Sequence, residues 1–210
     1  MKLSVQHLMR VWRDHDKDVE HKMERLTQTI IEQIDSLSTI ATEFSNFAQM
    51  PRANLEKINI QEILQSSIAL FRESENVDID FKNNVPDSAI VVADKEQLLR
   101  VFNNLLKNAI QAIPEENKGK IEIELKKQDQ YYLVRIKDNG TGISPEIIDK
   151  IFVPNFTTKT TGMGLGLAMV KNIVEHINGK IWFETEINKG TTFFIALPCC
   201  QKLVPDEKAS

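Results

Sequence analysis

Glycine is scarce in this chain of 210 residues and is unevenly placed. Only eight glycines occur, none of them before Gly119, and five fall between Gly140 and Gly166. Glycine destabilises helix interiors, whereas a glycine cluster lets the backbone turn sharply or approach a ligand closely. The distribution therefore indicates a largely helical first part, followed by a glycine-rich segment that is a candidate ligand site.

Cysteine, excess charge of one sign and long apolar runs are also scarce. The only cysteines, Cys199 and Cys200, are adjacent, so a disulfide between them would join no distant parts of the chain. We expect reduced thiols in a cytoplasmic protein. The formal net charge of −4 provides no basic arm for nucleic acid. No apolar run approaches the roughly 20 residues that span a bilayer, so we expect membrane contact only through segments outside this chain.

Apolar residues recur at every third or fourth position in the first part of the chain. They are Val19, Met23, Leu26, Ile30, Ile34, Leu37, Ala41, Phe44 and Ala48. This spacing predicts one long amphipathic helix, and a shorter periodic segment at 3–12 completes a helical hairpin. A hairpin alone buries too little apolar surface to be stable. Its apolar stripe would therefore pack on a second copy, forming a homodimer, or on the chain's own globular domain; we favour the homodimer.

From residue 57 onward, segments typical of helices and strands are mixed. Asp94 resembles a helix N-cap, with Gln97 as its partner three residues on. The predicted helices cover 60–71 and 95–113, and the predicted strands 77–81, 89–93, 121–125, 131–136, 180–186 and 191–197. Strands paired as hairpins, with helices set apart, predict an α+β fold, a two-layer sandwich with helices on one face of a mixed sheet.

Two asparagines share one face of the helix after Asp94. Asn104 and Asn108 are four residues apart, and Ala112 follows four further on. Asparagine is mildly unfavourable inside a helix, and its amide oxygen is a suitable ligand for Mg²⁺. Taken alone, the pair is explained better by solvated or capping side chains than by a metal site.

Three further segments combine glycine with polar or apolar side chains. Asp138 follows a strand and precedes Gly140 and Gly142, which suits a carboxylate aimed into a sharp turn, although an ordinary Asp-Asn-Gly turn has the same sequence. A loop at 151–159 carries large apolar groups, as a hinged lid does. The segment 162–167 alternates glycine with other residues at a helix start, where backbone N–H groups bind phosphate.

In this order, the four segments resemble the ATP-binding domain of sensor histidine kinases, within the superfamily that includes gyrase, heat-shock-ninety and mismatch-repair ATPases. Their forms are N-L-x-x-N-A, D-x-G-x-G, an apolar segment ending in T-T-K, and G-x-G-x-G-L. The resemblance covers residues 57–198 and implies ATP and Mg²⁺ as cofactors. Residues 44–51 resemble the end of the hairpin in nitrogen-regulation-type sensor kinases.

The resemblance implies roles for individual residues. Asn108 would coordinate Mg²⁺, with Asn104 and Lys107 on the phosphate side. Asp138 would bind the adenine amine and share a water with Thr191. The complete set of implied ATP-binding residues is Asn104, Lys107, Asn108, Ala112, Asp138, Gly140, Gly142, Ile143, Thr158, Lys159, Gly162, Gly164, Leu165, Gly166 and Thr191.

Asn104 distinguishes branches of this superfamily, whose ATPases have a glutamate there as general base. A carboxamide cannot accept a proton at neutral pH, whereas a neutral imidazole is already nucleophilic. The resemblance thus implies a protein-histidine kinase that transfers the γ-phosphoryl group of ATP to a histidine and onward to an aspartate of a response regulator. An ATPase of the same superfamily and an ATP-binding scaffold without phosphotransfer remain as alternatives.

The phosphoacceptor histidine of the family is missing. It belongs to a motif of His-Glu or His-Asp followed by Asn-Pro, and none of the four histidines fits that motif. Residues 1–4 resemble the stretch just after it, so we hypothesise that the chain begins there; a natural gene product starting at Met1 would contradict this. We expect a partial dimerisation hairpin at 1–56, a catalytic domain at 57–200 and a tail at 201–210, with a response-regulator receiver domain as partner.

Overall fold

The computed structural model describes residues 19–48, 53–72, 76–85, 88–157 and 164–200. They form two compact units, of which the first contains helix α1 (Val19–Ala48) and the second contains the strands and the remaining helices. The segment at 3–12 and the tail at 201–210 lie outside the described residues. None of the helices in the described part is long and apolar enough to cross a membrane.

Helix α1 is the long amphipathic helix that the sequence predicts. Its 30 residues begin at Val19 and end at Ala48, without glycine or proline to interrupt them. Three large apolar side chains on it, those of Ile31, Ile34 and Leu37, are about half exposed. The helix therefore presents apolar surface between Ile31 and Leu37.

The second unit combines seven strands with helices in the part that the structure describes. In chain order the elements are β1 (Glu56–Asn59), α2 (Ile60–Phe71), β2 (Val77–Asn83), β3 (Ile90–Ala93), α3 (Lys95–Ala112), β4 (Gly119–Gln128), β5 (Tyr131–Asp138), a 3₁₀ helix (Pro145–Lys150), α4 (Gly166–His176), β6 (Lys180–Glu186) and β7 (Gly190–Pro198). Two elements were not predicted from the sequence: β1, in which Ile58 is the only apolar residue, and the 3₁₀ helix, whose six residues are less than two turns of an α-helix and show no clear periodicity.

Five strands form a mixed sheet in the order β2-β4-β5-β7-β6, and β1 pairs with β3 in a separate two-stranded sheet. Strand β2 runs parallel to β4, whereas the β4–β5, β5–β7 and β6–β7 pairs are antiparallel. The two predicted hairpins are therefore present. They form the centre and one edge of the five-stranded sheet.

Alternate residues of the sheet point to a core that is covered by helices. On β4 the core side chains are Ile121, Ile123 and Leu125, each no more than 1% exposed. Helices α3 and α4 pack on the sheet, and α2 packs beside α3. The predicted two-layer α+β sandwich is confirmed.

Asp94 fixes the start of α3 and holds the segment before β1. Its Oδ1 accepts a hydrogen bond of 3.0 Å from the backbone N–H of Gln97, which is the predicted N-cap. Its Oδ2 accepts a second bond of 2.8 Å from the backbone N–H of Asn54. One carboxylate thus joins the preceding chain to the helix that carries Asn104 and Asn108.

Candidate nucleotide-binding site

Asp138 is a buried carboxylate at the carboxyl end of β5. It is 3% exposed and is the only buried Asp or Glu in the described part of the chain. Its Oδ1 accepts hydrogen bonds from the backbone N–H groups of Gly140 (2.9 Å) and Thr191 (3.1 Å). Burial raises the pKa of Asp138, while these two bonds act in the opposite direction because they stabilise the carboxylate. The carboxyl group is thereby fixed in place with hydrogen-bonding capacity to spare.

The loop after Asp138 packs against the end of helix α3. The backbone N–H of Thr141 donates a hydrogen bond of 2.9 Å to the carbonyl oxygen of Ala112. A β-carbon at Gly140 would lie only 2.5 Å from the same oxygen, so no larger residue fits there. The fold thus brings together Ala112, Asp138 and Gly140, which the sequence analysis placed in one site.

The turn between β6 and β7 closes over the same loop. The backbone N–H of Asn188 donates to the carbonyl oxygen of Thr141 at 2.8 Å. Gly142 (φ +72°) and Gly190 (φ +104°) adopt backbone conformations that favour glycine. A β-carbon at Gly190 would overlap the carbonyl oxygen of Asp138. This contact keeps the turn directly against the buried carboxylate.

Thr185, which the sequence analysis did not single out, connects Ile143 to Thr191. Its Oγ1 accepts a hydrogen bond of 2.9 Å from the backbone N–H of Ile143 and lies 3.0 Å from Oγ1 of Thr191. The two threonines are opposite each other on β6 and β7. On β6, the alternate residues Ile181, Phe183 and Thr185 lie on the same face of the strand. A polar residue after two apolar ones at these positions was the sequence feature that could have singled out Thr185.

Asn104 on α3 faces the first residue of α4. Its Nδ2 donates a hydrogen bond of 2.8 Å to the carbonyl oxygen of Arg100. Its Oδ1 points to Gly166, where a β-carbon would lie 2.6 Å from this oxygen. Asn108 is half-buried one turn further along α3, and Lys107 is exposed. The glycine at the start of α4 therefore allows close approach to the asparagine face of α3.

The start of α4 has the features of an anion site. Leu165 stands at the N-cap position and makes no side-chain hydrogen bond to the helix. The first N–H groups of an α-helix have no partner within the helix and lie at its positive end. Gly164 and Gly166 flank Leu165 and keep side chains away from these groups. Thr158, Lys159 and Gly162 lie outside the described residues.

These residues fit a purine nucleotide with its divalent cation. A buried carboxylate can accept from an exocyclic amine, and the start of α4 can bind phosphate oxygens. No group of three or more His, Cys, Asp or Glu that could hold a metal exists within the described ranges. Asparagine oxygens together with phosphate and water are nevertheless a suitable ligand set for Mg²⁺.

Comparison with known protein families agrees with this geometry. Residues 93–201 match the family model described as histidine kinase-, DNA gyrase B- and HSP90-like ATPase. The chain belongs to this family. The matched residues begin at the end of β3 and include every candidate site residue that the structure describes. ATP is the nucleotide that membership of this family implies.

Sensor histidine kinases are among the named relatives of this chain. The sensor histidine kinase ZraS of Salmonella typhimurium is 33% identical over 177 residues, which is 82% of this chain and 37% of ZraS. The nitrogen regulation protein NtrY of Azorhizobium caulinodans is 30% identical over 186 residues, which is 86% of this chain and 24% of NtrY. The chain thus spans less than two fifths of the length of these relatives.

Solved structures show the same fold. The catalytic domain of histidine kinase ThkA is 35% identical, with a TM-score of 0.63, and the match covers 70% of this chain and 96% of that domain. ThkA in complex with the response regulator TrrA is 26% identical, with a TM-score of 0.71, over 94% of this chain and 57% of ThkA. The chain therefore contains the ATP-binding domain of a histidine kinase.

Proposed function

We propose that this chain is the catalytic and ATP-binding part of a two-component sensor histidine kinase. It would transfer the γ-phosphoryl group of ATP to a histidine outside this chain, from which the group passes to an aspartate of a response regulator. The observation that carries the proposal is the buried carboxylate of Asp138, held against a glycine loop in a chain of this family. We further propose that residues 1–56 are part of a dimerisation hairpin, 57–200 the catalytic domain and 201–210 a tail.

Asp138 would recognise the adenine base. Its carboxylate accepts from the exocyclic amine, and a charged acceptor makes the stronger kind of hydrogen bond. Gly140 and Gly142 would shape the pocket, because each stands where a side chain would strike neighbouring backbone. Ile143 and Thr191 would complete the lining beside the base.

The asparagine face of α3 and the start of α4 would hold the triphosphate. Asn108 would coordinate Mg²⁺, and Asn104 and Lys107 would lie on the phosphate side. The ion supplies charge neutralisation for the phosphate oxygens. Gly164, Leu165 and Gly166 would offer backbone N–H groups to the phosphates, together with lid residues Thr158, Lys159 and Gly162.

Catalysis would consist mainly of positioning and charge neutralisation. The bond between the γ-phosphorus and the bridging oxygen of ADP breaks as a phosphorus–nitrogen bond forms to the imidazole. Asn104 cannot act as a base, and a neutral imidazole needs none to attack. Asn104 instead keeps its amide directed at the start of α4 through its bond to Arg100.

Two partners follow from the proposal. The half-exposed Ile31, Ile34 and Leu37 on α1 support packing against a second copy of the hairpin, giving a homodimer. The ThkA–TrrA complex supports a response-regulator receiver domain as the acceptor of the phosphoryl group. We propose a cytoplasmic location for this part of a larger sensor.

A transphosphorylation assay tests the proposal. The chain is mixed with γ-labelled ATP, Mg²⁺ and a helical hairpin that carries the motif of His-Glu or His-Asp followed by Asn-Pro. We expect acid-labile, base-stable label on the hairpin, and none with Asn108→Asp or Asp138→Asn. Steady phosphate release without labelled hairpin would instead identify an ATPase, and ATP binding without either reaction would identify a scaffold.

A further inference from the structure

Strand β6 is an edge of the five-stranded sheet, and among the described residues no strand pairs with its free edge. The backbone N–H and C=O groups along such an edge are a template for pairing with another chain. We propose that β6 pairs with β6 of a second copy of this chain, in an antiparallel arrangement centred on Trp182. This contact is separate from the proposed hairpin dimer, and it does not depend on the proposed nucleotide site.

The core-side residues of β6 are less covered than those of the neighbouring strand β7. Ile195 on β7 is 0% exposed, whereas Ile181, directly opposite it on β6, is only partly buried. Phe193 on β7 is likewise buried, while its partner Phe183 on β6 is partly exposed. A second strand beside β6 would cover these two side chains and remove apolar surface from water.

On its other face, β6 carries a large aromatic side chain between two opposite charges. Trp182 is 40% exposed and stacks on Phe194, with ring centroids 5.3 Å apart. Lys180 and Glu184 flank it and are exposed, and neither forms an ion pair with another described residue. Because stacking already orders the indole ring, little side-chain freedom is lost when a partner covers it.

A twofold axis through Trp182 makes this pattern complementary to itself. Lys180 of each copy then lies opposite Glu184 of the other, and the two Trp182 side chains lie opposite each other. On the core side, Ile181 of each copy lies opposite Phe183 of the other. Opposite charges and apolar pairs at facing positions stabilise antiparallel strands, whereas like charges destabilise them. Both faces of β6 thus fit a second copy in one register.

Moving the axis by one residue, to Phe183, gives a less suitable pair. Lys180 would then face Glu186, which already forms an ion pair with Lys189 in its own turn. The end of β6 is also packed against the loop after β5, because a β-carbon at Gly142 would overlap the carbonyl oxygen of Glu186. The beginning of β6 is therefore the part of the edge that suits a second copy.

We expect this contact to be weak by itself. A ladder of a few residues buries less than the roughly 1,000 Å² of a stable interface. Two copies joined by the proposed hairpin would have a high effective concentration, at which a weak contact forms. The proposed pairing would thus add a second contact between the catalytic domains of one dimer.

Amide hydrogen exchange along β6, followed by NMR at millimolar chain concentration, tests the pairing. Alternate amides of β6 do not bond to β7. These should exchange roughly three- to tenfold more slowly in the wild type than in Lys180→Glu or Glu184→Lys, since each reversal places like charges opposite each other. The double variant, with both reversals, should restore slow exchange. The two positions lie roughly 13 Å apart on one strand, so they meet only between copies.

Glu186→Lys is the matched control, because it makes the same charge change on the same strand. In the proposed register it faces the uncharged Asn178 of the second copy, so slow exchange should remain within about twofold. Exchange in the central strand β5 reports whether each variant stays folded. If a reversal speeds exchange there, Lys180→Gln and Glu184→Gln replace it, and each should still speed exchange at the free edge of β6.

Three results would overturn the inference. Edge amides of the wild type could exchange as fast as those of the single variants, which would show that β6 stays unpaired. The double variant could stay as fast as the single ones, which would show that the two charges do not meet. Loss of slow exchange in Glu186→Lys alone would contradict the register centred on Trp182. The measurement uses no nucleotide, so none of these results bears on the proposed function.

Discussion

The two faces of the central sheet give neighbouring carboxylates opposite properties. Asp138 on β5 pairs with Ile121 on β4, and the next residue of β4, Glu122, points to the other face. Burial raises the pKa of Asp138, whereas a 2.7 Å hydrogen bond from Lys120, reinforced by its charge, lowers the pKa of Glu122. A shift of one residue along the sheet moves a side chain to the other face. It thus separates the buried carboxylate of Asp138, which can bind a ligand, from that of Glu122, which is paired with a lysine near solvent.

The largest effect is expected when the buried carboxylate of Asp138 loses its charge. Asp138→Asn should lower ATP affinity by roughly a hundredfold, because a charge-assisted hydrogen bond is lost and an amide NH₂ group can face the adenine amine. Glu122→Gln on the opposite face is the control and should leave the affinity within about twofold. Calorimetric titration of both variants measures the difference; equal losses would contradict the assignment of the two faces.

Asp138→Asn should also change how the free energy of unfolding depends on pH. The pKa of Asp138 is raised in the folded chain, so its contribution to stability is full below the unfolded value near 3.8 and is lost as pH rises through the folded pKa. Asparagine keeps an acceptor for Gly140 and Thr191 and does not ionise. We expect the unfolding free energy of Asp138→Asn, relative to wild type, to rise with pH above 3.8 in urea titrations. A constant difference would show that burial does not disfavour the charge.

Gly190 tests how closely the β6–β7 turn must approach Asp138. Gly190→Ala should lower the unfolding free energy by roughly 1–3 kcal/mol, since alanine at φ +104° is strained and its β-carbon meets the carbonyl oxygen of Asp138. ATP affinity should fall with it. Asn188→Gly, in the same turn at φ +59°, should be neutral or slightly stabilising. Wild-type stability of the alanine variant would show that the turn can move away.

Two variants of Asp94 separate the contributions of its two hydrogen bonds to stability. Asp94→Ala removes the cap of α3 and the bond to Asn54, and should cost about 1 kcal/mol. Asp94→Asn keeps a capping oxygen for Gln97, but its NH₂ group cannot accept from Asn54. We therefore expect near wild-type stability and faster hydrogen exchange at Asn54. Equal destabilisation by both changes would mean that the cap is not the main contribution.

The smallest effect is expected on the outer face. Nε of Arg135 lies 3.1 Å from Oε2 of Glu124, and Nη2 of Arg135 lies 3.8 Å from Oε2 of Glu122. All three side chains are partly exposed. Glu124→Gln should cost no more than about 0.5 kcal/mol, and raised salt should reduce even this difference. Thermal unfolding at two salt concentrations measures it. A larger, salt-independent loss would make this face as critical as the inner one.

The sequence predicted elements with a long, regular pattern well. The predicted helix at 60–71 and strand at 180–186 have the observed bounds, and the cap at Asp94 is present. Strand β1 could not be predicted, because Ile58 is its only apolar residue, whereas β3, also of four residues, is apolar throughout and was predicted. The hairpin of β6 with β7 was predicted, but its register was not, so the pairing of Thr185 with Thr191 emerged only from the structure.

The resemblance predicted which residues would meet, but it could not give their geometry. Nothing in the sequence shows that Oδ1 of Asn104 lies against Gly166, or that both backbone bonds to Asp138 end on one oxygen. These details depend on how α3, α4 and the β6–β7 turn pack on one another. The roles of the individual site residues remain predictions for mutagenesis.

Titration calorimetry with Mg²⁺ and ATP is the sharpest test that Asp138 belongs to an ATP site. We expect saturable binding of one ATP per chain to the wild type, much weaker binding of GTP, and roughly hundredfold weaker binding of ATP to Asp138→Asn. The assignment of Asp138 is wrong if the folded wild-type chain does not bind ATP, or if Asp138→Asn binds ATP as tightly as the wild type does.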